Sequence, residues 1–468
     1  MSPFTRLLAL VSLVATVSGV ALTQRDPSFV PPALLSTSDP SAVAAAVNPV
    51  PIDLSTANPT DINAITAAIQ QASTSKRDLS LDRRLTGYTQ VFDGTGTDPS
   101  DRDASVAGKD YKSVKTFPTY DVDGCEQFCQ THPGCVFVNL YYIFNANASA
   151  PGSPEIRCAS YTDVHSSVDK TNFGGQQLLS PPAGKTYIQQ STGYTIDSLA
   201  PLANPPLPEG YKLVFGPVPG ANVAPGFLAS QVLGSYDVQA CANLCNAQTP
   251  DPNGGVCLYF NIFRALTGTF GTPVYTCSLY YLPTDASTAT LTSEPDVTIG
   301  FSRGYSRISV LIDGGFEGYS PDPAGDFLFF TEKYGNWTST QYGSGNAQFF
   351  DYAPYARSGH SVALLGNGYD FDTDTGTITP TNPLNTVAGK QYVIAFFQSS
   401  SYSGPDYETN SLVEVIWNGV TVFSVAPGYE TWTLYTVTVT AQGNDVIEFT
   451  GGHAPSWDFL DDIYVFLA

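Results

Sequence analysis

Basic residues, histidine and long apolar runs are all scarce in this chain. Only 20 of its 468 residues are Lys or Arg, against 42 Asp or Glu, which leaves a net charge of −22. Nucleic acid, heparin-like chains and anionic membrane surfaces are therefore repelled rather than attracted. No stretch reaches the roughly 20 apolar residues that a bilayer-spanning helix needs. The four histidines, His132, His165, His360 and His453, form neither a His-Glu-x-x-His helix nor any other ligand pair. The nearest approach to a nucleophile elbow, Gly359-His-Ser361-Val-Ala363, ends in alanine and lies within a strand signal rather than at a strand-to-helix turn. Asp461 and Asp462 are adjacent in a strand signal and point to opposite faces, whereas glycoside hydrolysis needs facing carboxyls. A non-catalytic protein is expected, with a glycan hydrolase carrying an attached binding module as the alternative.

Eight cysteines are present, in two sets of four. Tyr120-Asp-Val-Asp-Gly-Cys125-Glu-Gln-Phe-Cys129 returns as Tyr236-Asp-Val-Gln-Ala-Cys241-Ala-Asn-Leu-Cys245. Each copy continues with a third cysteine that opens an apolar run, Cys135 or Cys257, and a distant fourth, Cys158 or Cys277. Cys-x3-Cys places both sulfurs on one helix face, and Asp121 and Asp237 stand where an N-cap carboxylate is useful. The run after the third cysteine reads as a buried strand. Four cysteines allow three pairings per copy. The helix cysteine nearer the turn should take the nearer partner, which predicts Cys129–Cys135 with Cys125–Cys158, and Cys245–Cys257 with Cys241–Cys277. Four thiolates on zinc would want two short knuckles, and the third-to-fourth intervals here are long and unequal.

A Cys-x3-Cys helix, a cysteine-led strand and a distant fourth cysteine resemble the core of PAN/apple domains, and the tandem resembles secreted fungal proteins of the fruit-body-specific type. The resemblance runs from Tyr88 to Ile308. It implies a helix clamped to a sheet by these same two bridges, and binding of proteins or carbohydrates without catalysis.

Residues 1–21 read as a secretory signal peptide: one basic residue, Arg6, then an apolar run and small residues. Residues 22–84, rich in Ala, Pro, Ser and Thr, read as a disordered leader or propeptide that ends in the dibasic pairs Lys76-Arg77 and Arg83-Arg84. A short helix over residues 61–72, capped by Asp61, is its one structural signal. The first repeat is placed at residues 85–198, a Pro-rich extended linker at 199–210, and the second repeat at 211–309. An even cysteine count and the sequons at Asn147 and Asn336 fit an oxidising, secreted destination, extracellular or in the cell wall.

Residues 310–468 lack cysteine but are long enough for an ordinary core. Alternating runs such as Ser411-Leu-Val-Glu-Val-Ile-Trp417, and an Asn418-Gly419 hairpin signal, predict an antiparallel sandwich. The landmarks Asp313-Gly-Gly-Phe-Glu317, Arg357-Ser-Gly-His-Ser-Val, Trp432-Thr-Leu-Tyr and Phe459-Leu-Asp-Asp-Ile-Tyr464 resemble, in order, the galactose-binding-like jelly roll of carbohydrate-binding modules. The fold class is thus mainly β: two small, disulfide-stapled α+β modules followed by a jelly roll. In the resembled modules an early Glu and an Asp on the last strand share one metal, which implies a structural calcium at Glu317 and Asp461. The acidic run Asp370-Phe-Asp372-Thr-Asp374 fails the EF-hand pattern and reads as a solvated turn.

Sugar binding wants aromatic faces beside hydrogen-bonding groups. Trp337, Tyr342, Tyr355, Tyr402 and Trp457, in loops or at strand ends, are the candidates, whereas Trp417 and Trp432 lie within alternating strands and read as core. The expected partners are neutral polysaccharide or glycoprotein and other cell-wall proteins, through weak multivalent contacts.

Overall fold

The computed structural model describes residues 59–74, 87–96, 101–150, 152–267, 272–294, 297–320, 330–339, 346–366, 373–401 and 405–468. Residues 1–21, expected to be a signal peptide, and both dibasic pairs lie outside them. Among the described residues, no helix is long and apolar enough to cross a membrane.

The two cysteine sets build the same unit. In the first repeat an antiparallel sheet runs in the order Tyr88–Phe92, Tyr187–Ile196, Phe137–Phe144, Glu155–Tyr161, Tyr111–Phe117. In the second, Tyr211–Val218, Val297–Arg307, Tyr259–Thr267, Thr272–Tyr280 and Phe227–Leu233 follow the same order, with Ser293–Glu294 added at the edge. The cysteine helices are α2 (Val122–Gln130) and α4 (Val238–Ala247). Asp121 and Asp237 cap them, each carboxylate accepting the backbone N–H three residues on, at 2.9 and 3.0 Å. All four predicted bridges form, Cys125–Cys158, Cys129–Cys135, Cys241–Cys277 and Cys245–Cys257, and no cysteine is free.

Two further details recur. Asn139 and Asn261 are fully buried in the central strands; each amide oxygen accepts a backbone N–H (Val106, Asn222), and each amide nitrogen donates to a serine and a carbonyl of the neighbouring strand. The tyrosine that opens each repeat motif reaches a bulge residue with positive φ: the Tyr120 hydroxyl donates to Gln190 O and that of Tyr236 to Phe301 O, both at 2.6 Å.

The repeats are not independent modules on an extended linker. Their cores merge into one apolar cluster, and the linker contributes α3 (Ala200–Ala203), whose Leu202 and Ala203 are buried in it. Pro201 stands in the first turn of α3, where its missing N–H costs nothing. Arg264 of repeat two holds Asp163 of repeat one by two bonds of 2.6 Å, and Arg303 donates to Ala203 O at 2.8 Å. The short helix expected in the leader forms, and is longer than its sequence signal. Residues 59–74 form helix α1 (Pro59–Thr74), with Ile65 and Ile69 buried against repeat two.

The third unit is a sandwich of two antiparallel sheets. One runs Phe330–Thr331, Ala347–Asp351, Ser361–Leu365, Asp458–Leu467, Gln391–Ser399, Thr433–Thr440, and the other Trp337–Ser339, Thr377–Pro380, Ile447–Gly451, Val413–Trp417, Val420–Val425. Asn418-Gly419 makes the expected hairpin, with φ of 52° and 77°. Between the sheets lies a core that includes Trp417, Phe396 and Leu460. On the outer face of the six-stranded sheet sits a second aromatic cluster that includes Phe397, Trp432 and Phe459. Repeat two abuts that same sheet: Val256 and Leu258 pack on Ala395 and Phe466, and the Arg307 guanidinium stacks 4.6 Å from the Phe466 ring and donates to Leu467 O.

Candidate functional site

Two places in the sandwich gather chemistry. The first is the corner where its opening loop meets its last strand. Gly314 lies so close to that strand that an added Cβ would fall 1.8 Å from Ile463 O, and Gly314 O accepts the Ile463 N–H at 2.9 Å. Gly315 is consequently ringed by carboxylate side chains, with Asp461 Oδ1 and Asp462 Oδ1 each 3.7 Å and Glu317 Cγ 3.8 Å from where its Cβ would be. The predicted pair Glu317 and Asp461 is thus brought together.

Glycine at 359, with φ of 64°, is what lets the next turn wrap Glu317, because a Cβ there would sit 2.1 Å from Glu317 Oε1. His360 N and Ser361 N donate to that carboxylate at 2.9 and 3.1 Å, and His360 Nε2 lies 3.0 Å from Oε2. Asp461, fully buried, accepts from Arg357 N, Ser358 N and Asp462 N. Burial, and then the charge of Asp462, push its carboxyl well above the usual carboxylate range. Arg357 pairs with Asp462, lies 3.4 Å over the Phe397 ring and donates to Asn253 O of repeat two. Glu317 thus pairs with His360, Asp462 with Arg357, and Asp461 with three backbone amides, so the corner gathers three carboxyls around one guanidinium and one imidazole. No cluster of three or more His, Cys, Asp or Glu placed to hold a metal occurs among the described residues. An ion here would take backbone oxygens and water beside the two carboxylates.

The second place is the loop end of the six-stranded sheet. Segments 398–401, 408–412, 428–432 and 454–458 converge there around two enclosed carboxyls that sequence reading missed. Asp458 accepts from Ser411 Oγ at 2.6 Å, Gln398 Nε2 at 2.8 Å and Leu412 N at 3.1 Å. Glu408 accepts from Trp457 N at 2.9 Å. Burial, then the charge of Asp458, push Glu408 up to about 10, and burial pushes Asp458 up to about 7. Beside them Ser399, Ser400 and Ser401 are fully buried, and Trp432 Nε1 and Gln398 Oε1 have no hydrogen-bond partner among the described residues. Tyr429, 44% exposed, forms the rim and donates its hydroxyl to Ser401 O. Asp458, an acid heading the apolar run Phe459-Leu460, was the one sequence cue to this cluster.

The predicted stacking residues are placed otherwise. Trp337 is a core residue between Phe316 and Phe349, and its indole N–H donates to Asp313 O at 2.9 Å. Tyr355 and Trp457 belong to the outer aromatic cluster and are enclosed by it. A ring covered on both faces offers a sugar no surface, so these three are corrected to packing roles. Tyr342 and Tyr402 lie outside the described residues, as do Asp370 and Asp372. Trp417 and Trp432 are buried, as expected. Of the sequon asparagines, Asn147 is half-buried at a turn, accepting from Ser149 N, and Asn336 donates its side-chain amide to Asp313 Oδ2.

No family model matches the chain, and no curated protein sequence matches it. Solved structures similar to it include TmCBM61 in complex with β-1,4-galactotriose, at 15% identity over 34% of this chain and 99% of that one, TM-score 0.23. The CBM22-1 xylan-binding domain of Paenibacillus barcinonensis Xyn10C is similar at 14% identity over 30% and 90%, TM-score 0.21. An arabinose-bound MgGH51 α-L-arabinofuranosidase is similar at 11% identity over 34% of this chain but 26% of that one, TM-score 0.25. At such scores the function has to be read from the chain's own residues.

Proposed function

We propose that the protein is a secreted, non-catalytic binder of neutral carbohydrate, with its sugar contact at the loop end of the six-stranded sheet and weaker contacts from the stapled repeats to glycoprotein or cell-wall protein. The observation that carries this reading is the exposed ring of Tyr429 at the rim of this loop cluster, held by its hydroxyl bond to Ser401 O above the buried network of Gln398, Asp458 and the serines. The acidic surface points to an uncharged glycan. The test is affinity electrophoresis on galactan, xylan and β-glucan. Retardation by one of them, weakened by Tyr429→Ala, is the expected result; no retardation on any would overturn the reading.

A hydrolase is the second reading, favoured by the Glu408–Asp458 pair, since a carboxyl that keeps its proton at neutral pH is what a general acid requires. Both side chains are almost fully enclosed and held by protein donors, which suits positioning better than proton transfer to a substrate. Release of reducing ends that Glu408→Gln abolishes would replace the binding reading.

Glu317 and Asp461 are proposed to hold a structural calcium ion, whose binding would ionise the Asp461 carboxyl. Calcium at a hundredfold over its dissociation constant adds about 2.7 kcal/mol to the folded state. Chelation should therefore lower the melting transition of the sandwich and have no further effect on Asp461→Asn. An unchanged melt would remove the site.

A further inference from the structure

Among the described residues of the leader, helix α1 is the element that the rest of the molecule receives. Its Ile65 and Ile69, one turn apart on one face, are 0% and 2% exposed, while Asn63, Ala64, Ala67, Gln70 and Gln71 face outward. The two isoleucines pack on the sheet face of repeat two opposite α4, in a cluster with Phe263, Ala265, Val274, Leu291, Val297 and Ile299. Sixteen residues with a single charge, Asp61, make a marginal helix in water. Its order therefore depends on the surface it lies on. The converse does not hold, since the sheet of repeat two is complete, hydrogen-bonded and stapled without α1.

We propose that this face of repeat two is a helix-binding groove and that residues 59–74 are its built-in occupant, a separable ligand that masks the groove rather than a part of the repeat's own fold. The groove selects a short, nearly uncharged helix with β-branched residues at i and i+4. An apolar floor gives a polar or charged face nothing to pair with, and two isoleucines one turn apart fill it. With the helix displaced, the groove is an apolar interaction surface, open first to the same segment of a second copy.

The test uses the full chain carrying Ile65→Asp and Ile69→Asp, and a fluorescein-labelled synthetic peptide of residues 59–74 read by anisotropy. The peptide is expected to bind the variant saturably, to lose at least tenfold in affinity for the wild-type chain, whose groove is filled, and to lose binding when it carries the same two aspartates. Binding to neither protein, or equally to both, would overturn the proposal. The milder Ile65→Ala, Ile69→Ala chain guards against misfolding of the first variant and should rank between it and the wild type. Hydrogen exchange on the unaltered protein supplies a check that needs no variant. Amides of residues 59–74 should exchange at least tenfold faster than those of strands Tyr259–Thr267 and Val297–Arg307, because an occupant opens while its receptor stays closed; matching rates would show one folding unit and sink the idea.

Discussion

His165 shows how a few side chains set the chain's response to pH. Burial alone would lower its pKa, but hydrogen bonds to Asp110 and Asp169, and then their charges, outweigh that and hold it at about 9. A folded-state value above the ordinary 6.5 means its contribution is full below that pH and is lost as pH rises through 9. Asp458 and Glu408 act in the same direction for another reason. Their carboxyls are raised, to about 7 and about 10, so ionising them costs folding energy once pH exceeds their ordinary values. Thermal melts between pH 5 and 9 should show stability falling as pH rises. Asp458→Asn should flatten the part of that slope between about pH 4 and 7. A melting temperature that climbs with pH would contradict both assignments.

At the scale of elements, the disulfide helices are the most exacting feature. Each repeat hangs its helix from the sheet by a long-loop bridge, Cys125–Cys158 or Cys241–Cys277, and a short one at the helix end. Replacing Cys241 and Cys277 together by alanine should cost about 2–4 kcal/mol in urea unfolding. Removing only the cap, by Asp237→Ala, should cost about 1 kcal/mol. These elements were legible because their information is local: a three-residue interval, a cap one residue ahead of the helix, an Asn-Gly pair between two alternating runs. The loop-end cluster was not, because Gln398 meets Asp458 only through strand pairing 60 residues along the chain. Trp337 and Tyr355 were misassigned because standing at a strand end says nothing of whether the next segment folds back over the ring. The burial of Ile65 and Ile69 was not legible either, because the sheet face that receives them lies far later in the chain.

The whole molecule is tied together by arginines in an otherwise acid-rich chain. Arg264 joins the repeats through Asp163, Arg303 fastens α3, Arg307 reaches the last strand, and Arg357 joins the sandwich to Asn253. The Arg264 side chain is 10% exposed and that of Asp163 35%, so the pair is neither a free surface bridge nor a fully buried one. Asp163→Ala, which leaves the guanidinium without its partner, should cost about 1–3 kcal/mol. It should also split the unfolding of the two repeats into separable steps, read by hydrogen exchange. A single unchanged transition would show that the shared apolar cluster alone couples them.

The seam between repeat two and the sandwich has a mechanical meaning. Val310, where the chain enters the sandwich, donates its N–H to Val465 O at 2.9 Å, and Arg307 grips Leu467 O at 2.8 Å. The entry and the last strand of this unit are therefore bound side by side, next to the repeat that precedes them. Tension applied between the repeats and residue 468 would be borne by this short clasp before it reached the sandwich core, as a strap carries the weight of a bag while its contents stay slack.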